Sequence, residues 1–390
     1  MWSFKSLPMI INYFKQRTDF NMKKKLSAIL CSVICITSLS FTGYAAEDNY
    51  YTLEEAITYA FENDYNLKSL ESTVTKAEKN AVQEESNRRN YRDAFSMGEF
   101  TMDTGFAAAL YSKGYMLDTA QMQLRIAQRN LQQGKNDLEN NVKQGFYGYI
   151  VSQKTTDNAQ RSLDKAKEQK SVAEVRYNQG QITKSDLQSF ELNVKKAENT
   201  LKEQQRSLQL SMLSLKNTMS YPTDKELIPV GEVELCEADA TSLETATELA
   251  KTHNNMLNLQ DVYESAKKRY DIAMGWYSTA QINYYIEKAT WESAKNDYYK
   301  NKNSYELNVM SRYNAMQSAY ETLDYLNDSL EIVKNQAEIA EIRYDMGQIT
   351  SNDYISYTNQ VYELESTIEQ AKLGAILSVY NYRMTFTSNN

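Results

Sequence analysis

The segment Ala173-Glu-Val-Arg-Tyr-Asn-Gln-Gly-Gln-Ile-Thr183 returns later in the chain as Ala340-Glu-Ile-Arg-Tyr-Asp-Met-Gly-Gln-Ile-Thr350. Eight of the eleven positions are identical, and two of the three differences, Val175/Ile342 and Asn178/Asp345, are mild. An aspartate follows each copy at the same distance, Asp186 and Asp353. A long helical pattern runs up to each glycine, and another begins after each threonine. Gly180 and Gly347 suit the left-handed residue that ends a helix. Thr183 and Thr350 suit the N-cap of the next, with Asp186 and Asp353 at N3 in its electropositive first turn. The stretch therefore predicts a helical hairpin, twice. Two ordinary αα-turns would need only the glycine and the cap. They would not need Arg176-Tyr177 and Arg343-Tyr344 before the glycine, or Gln-Ile after it. A shared functional tip is the favoured reading.

Outward from the tips, apolar residues fall into seven-residue rows. Leu117, Leu124, Leu131 and Leu138 form one, and Ala120, Ala127 and Gly134 interleave three residues on. This is a heptad seam with one large and one small row, in which small residues let helix axes approach. It continues less strictly through Phe146, Ala159 and Leu163 to the first tip. One helix over 117–175 would be about 90 Å long, and Gly145 and Gly148 are candidate bends. Leu187, Phe190, Val194, Ala197, Leu201, Leu208 and Leu215 mark the return, which stops before Tyr221-Pro222. In the second half Met316, Leu323, Leu330, Ala337 and Tyr344 run down to the tip, and Tyr357, Val361, Leu364, Ile368, Ala371 and Ala375 return from it.

Each half also opens alike. Leu53-Glu-Glu-Ala-Ile-Thr-Tyr-Ala60 follows Thr52, with Glu55 placed for a capping box, and Ser242-Leu-Glu-Thr-Ala-Thr-Glu-Leu-Ala250 echoes it. Asn63 to Asn66 ends the first short helix. The next carries Leu67, Leu70, Val74, Ala77 and Ala81 on one face until Asn87-Arg-Arg-Asn90 interrupts it. The helix starts Leu53 and Leu243 are farther apart than the glycines Gly180 and Gly347, so the first half holds extra residues. They map to 91–116, where the helical period is lost. There Phe95, Met97, Phe100 and Met102 alternate, and Gly98, Gly105 and Gly114 punctuate. This region has room for one short strand insertion. In the second half, helix is expected to run on through Gly275-Trp-Tyr-Ser-Thr-Ala280. Between the halves, 220–241 holds Pro222 and Pro229 and reads as a linker, with an edge strand expected within Leu227–Leu235.

Met22-Lys-Lys-Lys25, the apolar stretch Leu26–Phe41 and Gly43-Tyr-Ala45 read as a secretory signal peptide cleaved after Ala45 or Ala46. An N-terminal membrane anchor is the alternative, against which the segment is short and interrupted by Ser and Thr. Residues 1–21 read as an upstream extension. The expected organisation is thus 1–46 extension and signal peptide, 47–219 first hairpin repeat, 220–241 linker, and 242–390 second hairpin repeat, with Ser388-Asn-Asn390 frayed.

Composition narrows the function. Three Pro and twelve Gly in 390 residues favour few, long elements. A net charge of −8 argues against a nucleic-acid partner. With Cys31 and Cys35 in the signal region, Cys236 stands alone, so no disulfide or cysteine metal site is expected. The single histidine, His253, is expected on a short surface helix. No His–carboxylate constellation, phosphate loop or nucleophile elbow is present. No catalytic residue, metal or cofactor is expected, and the protein reads as a non-enzyme.

Taken together, the export signal, the tandem halves and the Arg-Tyr-x-x-Gly-x-x-Thr-x-x-Asp turns resemble the TolC family of outer-membrane efflux proteins, over roughly residues 50–386. The resemblance implies an all-α fold, two tandem repeats of long antiparallel coiled-coil hairpins. It implies a homotrimer forming a hollow helical barrel. Its hairpin tips would dock a periplasmic adaptor protein of an inner-membrane transporter. Arg176, Tyr177, Gly180, Thr183, Arg343, Tyr344, Gly347 and Thr350 match the tip turns. Asp353 matches an aspartate that rings the closed mouth, and Asp186 is its equivalent in the first hairpin. A helix-capping role for Asp353 is equally supported and compatible. Tyr344 matches a gate tyrosine, with Tyr177 its counterpart. Where some members carry a gate arginine two residues after the glycine, this chain has Ile349, so any latch must differ.

The family's outer-membrane β-barrel is expected to be reduced or absent. A membrane strand needs about 9–11 residues, and a trimer with one short strand pair per chain would supply about six strands, below the roughly eight of the smallest usual barrels. Two functions follow from the cell envelope: an efflux conduit, or a non-conducting exported coiled-coil scaffold or adaptor. Membrane association stays open between them.

Overall fold

The computed structural model describes residues 49–96, 105–233 and 235–387. The expected signal peptide and extension, the C-terminal Ser388–Asn390, and Met97, Gly98, Phe100 and Met102 lie outside the described residues. So does the side chain of Phe95.

The elements run β1 (Tyr50–Tyr51), α1 (Leu53–Asn63), α2 (Tyr65–Ser96), α3 (Gly105–Ser112), α4 (Tyr115–Asn178), α5 (Lys184–Thr218), β2 (Ile228–Pro229), α6 (Leu243–Ala250), α7 (Asn254–Met274), α8 (Ile282–Asp345) and α9 (Ser351–Arg383). The fold is all-α, with long antiparallel helical hairpins and almost no strand. The two long rods, α4 and α8, each contain 64 residues, about 96 Å of helix. Each rod is flanked along its length by two shorter helices: α2 and α5 pack on α4, while α7 and α9 pack on α8. α9 also packs on α4 and α5, which joins the two hairpins.

The heptad rows pack as their spacing implies. Leu117, Ala120, Ala127 and Leu138 are buried. A Cβ at Gly134 would lie 2.5 Å from Leu70 Cδ1, so the small row admits α2 against α4. Gly145 and Gly148 do not interrupt α4. Gly145 instead lets α5 approach, since its Cβ would lie 3.3 Å from Leu215 Cδ1. Midway along the rods is the main core. Ala56, Ala60, Val142, Phe146, Leu215 and Met219 are its buried centre. A second core joins α6, α8 and α9 through Ala246, Val309, Met316, Val379 and Tyr382. The expected edge strand in 227–235 is two residues long and pairs in parallel with β1, Ile228 N–H donating to the Asn49 carbonyl and Val230 N–H to that of Tyr51.

Three expectations are corrected. First, the helical period expected to be lost over 91–116 persists in its described parts: α2 runs to Ser96, α3 begins at Gly105, and α4 starts after Gly114 at φ +75°. No strand insertion is seen among the described residues of that region. Side-chain ladders carry α2 through Asn87–Asn90, with Gln83 donating to Asn87 and Arg89 paired with Glu85. Tyr91 stacks on Tyr111 with ring centroids 4.0 Å apart, fastening α2 to α3. Second, helix does not run through 275–280. α7 ends at Met274, and the Ser278 N–H donates to Gln281 Oε1 in a turn before α8. The buried Glu287 accepts two bonds from Arg269, clamping the two helices. Third, His253 is 2% exposed, not on a surface helix. It N-caps α7, its Nδ1 accepting from the Asn255 N–H, and its ring stacks on Tyr305. Burial pulls its pKa down, which favours the neutral ring.

Candidate functional site

At both tips the chain reverses through the same bonds. Gly180 and Gly347 both have φ +69°. The Gly180 N–H donates to the Tyr177 carbonyl and Gln181 N–H to that of Arg176, each at 2.9 Å. Gly347 and Gln348 repeat this on Tyr344 and Arg343 at 2.9 and 2.8 Å. These are Schellman closures, which satisfy the last carbonyls of α4 and α8. Nothing lies within 4 Å of a Cβ built on either glycine. Glycine is therefore required by the backbone conformation, not by crowding.

The helices restart with matched caps. Asp186 N–H donates to Thr183 Oγ1 at 3.2 Å, and the Thr183 N–H and hydroxyl donate back to Asp186 Oδ2 at 3.0 and 2.7 Å. Thr350 and Asp353 form the same box at 3.2, 3.1 and 2.7 Å. Bonds from the threonine hydroxyl and N–H hold both aspartates below the usual carboxylate range. A folded-state pKa below the unfolded value gives stability present above the unfolded pKa near ~3.9 and lost as pH falls through the folded one. The tips are thus expected to hold at neutral pH and to loosen only below the ordinary carboxylate range. Thr183→Ala, which removes one hydroxyl partner, should cost about 1 kcal/mol and flatten the acid limb of stability. Urea titration of both proteins across the acid range checks this.

The two tips meet each other within one chain. Arg176 Nη2 donates to Asp345 Oδ1 at 2.6 Å. The same guanidinium lies 5.3 Å from the Tyr344 ring centroid. Tyr344 stacks on Tyr354 at 5.1 Å and meets the Phe190 ring edge-on at 5.8 Å. The Ser351 hydroxyl donates to Asp186 Oδ1 at 3.1 Å. Ala173, Phe190, Ala340, Tyr354 and Ile355 form the small apolar core beneath. Of the residues singled out by sequence, Arg176, Tyr344 and Asp186 converge in this seam. Gly180, Thr183, Gly347 and Thr350 shape it. Tyr177, Arg343 and Asp353 lie outside it, exposed.

Ser351 and Tyr354 were not marked by sequence, Phe190 was marked only as one of an apolar row, and Asp345 only as a mild difference between the repeats. One signal was available for Asp345: it is a charge change within an otherwise repeated motif. Nothing in the sequence distinguishes Phe190 or Tyr354 from the other apolar positions of the return helices. No group of residues suited to a metal ion occurs among the described residues.

With this geometry in hand, the solved structures that match are informative. A membrane protein from Pseudomonas aeruginosa matches with a TM-score of 0.68 at 12% identity, over 86% of this chain and 92% of that one. The Campylobacter jejuni CmeC outer membrane channel matches with a TM-score of 0.69 at 11% identity, over 86% and 85%. This chain has the outer-membrane-channel fold. The outer membrane protein VceC from Vibrio cholerae adds a TM-score of 0.64 at 12% identity, over 84% of this chain and 95% of that one. No family model matches the chain, and no curated protein does. At these identities the shared property is the channel fold.

Within that fold the rod α8 carries apolar side chains on two opposite faces. On α8, Met316 and Leu323 are buried, and Leu330 packs with the latter against α9. Two residues further on, about 200° around a helix, Tyr325, Ile332 and Ile339, with Met346 at the C-cap, repeat every seven residues and are 55–70% exposed. The edge of α5 bares Leu192, Leu210 and Leu213. Between α5 and α9, over α4, runs a groove whose lining mixes the polar Asn193, Thr200, Gln204 and Asn359 with Lys196, Glu363, Ala197 and Tyr362.

Proposed function

We propose that the protein is an export conduit of the cell envelope: copies assemble as a homotrimer around a lumen. The tips dock a periplasmic adaptor protein of an inner-membrane transporter, for efflux or export. The observation that carries this reading is the second apolar face of α8. A heptad row of large side chains left in water is costly at about 25 cal/mol per Å², and in a hairpin already packed on its other face it calls for another helix. The open rows on α8 and α5 are different surfaces. Contact between them is heterologous, and a heterologous contact closes into a ring when its rotation allows. The polar and charged groups in the groove between α5 and α9 suit a surface facing water. The N-terminal leader would deliver the chain to the envelope, where the channels of this fold reside.

A second reading, a non-conducting exported scaffold or adaptor, needs only the long helical hairpins. Among the described residues no strand exceeds two residues, and no helix is long and apolar enough to cross a membrane. Sedimentation equilibrium of the full chain tests the ring, with the mass of three copies expected. A monomer at high concentration would sink the conduit. Ion conductance by the trimer in planar bilayers separates the two readings, since a scaffold gives none.

A further inference from the structure

The end of α8 opposite its tip carries an uncharged apex. It comprises the end of α7, the turn 275–281 and the first turn of α8. The segment Ile272-Ala-Met-Gly-Trp-Tyr-Ser-Thr-Ala-Gln-Ile-Asn-Tyr-Tyr-Ile286 contains no charged residue, the longest such run after residue 46 in a chain that is 24% charged. Five of its large apolar side chains, Met274, Trp276, Ile282, Tyr285 and Ile286, are 43–72% exposed. Charge resumes directly behind them. Asp271 precedes the run, and Glu287 follows it, buried and neutralised by two bonds from Arg269.

The apex is packed from behind by aromatic rings. A Cβ on Gly105 would lie 2.2 Å from Trp276 Cζ2, so α3 offers the indole a bare backbone seat. Tyr277 packs on Phe106 with ring centroids 4.8 Å apart. Tyr270 stacks on Trp291 at 5.1 Å, and its hydroxyl bonds that of Tyr284 at 3.0 Å. The turn is therefore held in place while Trp276, Ile282, Tyr285 and Ile286 stay open to water.

A neighbouring helix is a poor match for this patch. The exposed row at Tyr325, Ile332 and Ile339 recurs over several turns, as a partner helix requires. The apex spans one turn of chain and the first turn of α8, too short a ridge for that packing. Its composition, Trp and Tyr beside aliphatic side chains with no charge among them, is that of groups that settle at a membrane–water interface. Among the described residues no helix is long and apolar enough to cross a bilayer, so the contact is a shallow one.

We propose that this apex is a lipid-binding surface: Trp276, Ile282, Tyr285 and Ile286 enter the headgroup region of a bilayer and hold one end of the rods at the membrane. The contact needs neither a strand nor a spanning helix. It holds for either reading of the function, conduit or scaffold.

Tryptophan fluorescence tests it in the full chain carrying Trp2→Phe and Trp291→Phe, which leaves Trp276 as the single tryptophan. With phosphatidylcholine vesicles the Trp276 emission is expected to shift to the blue, and bromine on the lipid acyl chains should quench it. Ile282→Ser with Ile286→Ser, at exposed positions, should abolish most of the shift and of the quenching without changing the circular dichroism. Reading Trp276 itself separates the apex from the apolar stretch 26–41, which can bind lipid on its own. Emission that is unshifted and unquenched, or a serine variant quenched as strongly as its parent, would overturn the proposal. A shift without quenching would assign the apex to contact between copies and overturn it too. Sedimentation answers separately: a trimer whose Trp276 stays in water overturns the lipid contact alone, and a monomer whose Trp276 enters the bilayer overturns the conduit alone.

Discussion

Replacing Phe146 with alanine is expected to destabilise the protein by about 3–5 kcal/mol, the usual range for emptying a large aromatic site. Phe146 is 1% exposed in the core at the middle of α4. It sits where α1, the end of α5 and the segment after it converge. Gly231 packs on it, since a Cβ there would lie 3.5 Å from the ring. Nearby Leu215 and Met219 are themselves fully buried, which limits how far the site can collapse. The rods elsewhere are two or three helices thick, so few positions bury as much. Urea unfolding followed by far-UV circular dichroism gives the number. Tyr325→Ala, on the exposed row of α8, is the contrast: little effect in the monomer and a marked loss of assembly. A loss below about 1 kcal/mol for Phe146→Ala would mean that the midpoint core does not hold the rods together.

Changing both tip glycines to isoleucine is expected to abolish the docking proposed for the tips while leaving helix content almost unchanged. The left-handed conformation costs an ordinary residue about 1–2 kcal/mol, and a β-branched one suffers most. Both glycines sit at φ +69° with open space around them, so the side chain itself meets no clash. The turn must change instead, and with it the Schellman bonds and the placement of Arg176, Tyr344 and the capping threonines. The α4–α5 and α8–α9 packing lies along the rods and is spared. Export by cells carrying the double variant, together with its circular dichroism, decides the matter. Normal export would remove the tips from the docking surface. Gly180→Asn with Gly347→Asn should be milder, because asparagine tolerates the left-handed region.

How much of this was legible beforehand depends on the range of the interaction. The tip turns could be read because their determinants lie within about ten residues: a left-handed glycine, a threonine cap and an aspartate at N3. The rods could be read because heptad spacing is a local property of a helix, and the buried rows of α4 and α8 are the ones the spacing marked. In 91–116 the alternation at Met97, Phe100 and Met102 lies outside the described residues, while the described parts, to Ser96 and from Gly105, are helical where a loss of helical period was expected. What holds those described helical parts is not local to either helix: the Tyr91–Tyr111 stack and the packing of α3 on α4 and α7. His253 was misplaced for a similar reason, since its burial depends on Tyr305, far along the chain.

The candidate site divides in the same way. The sequence by itself determined that the chain bends back at Gly180 and Gly347 between capped helices, because backbone dihedral preference and capping are short-range. Only the tertiary structure decided that Arg176 takes Asp345 and Tyr344 while Arg343 and Tyr177 are left open. Two equal motifs carry no information about which edge of one hairpin faces the other. The side-by-side packing of α9 on α4 and α5 breaks that equality.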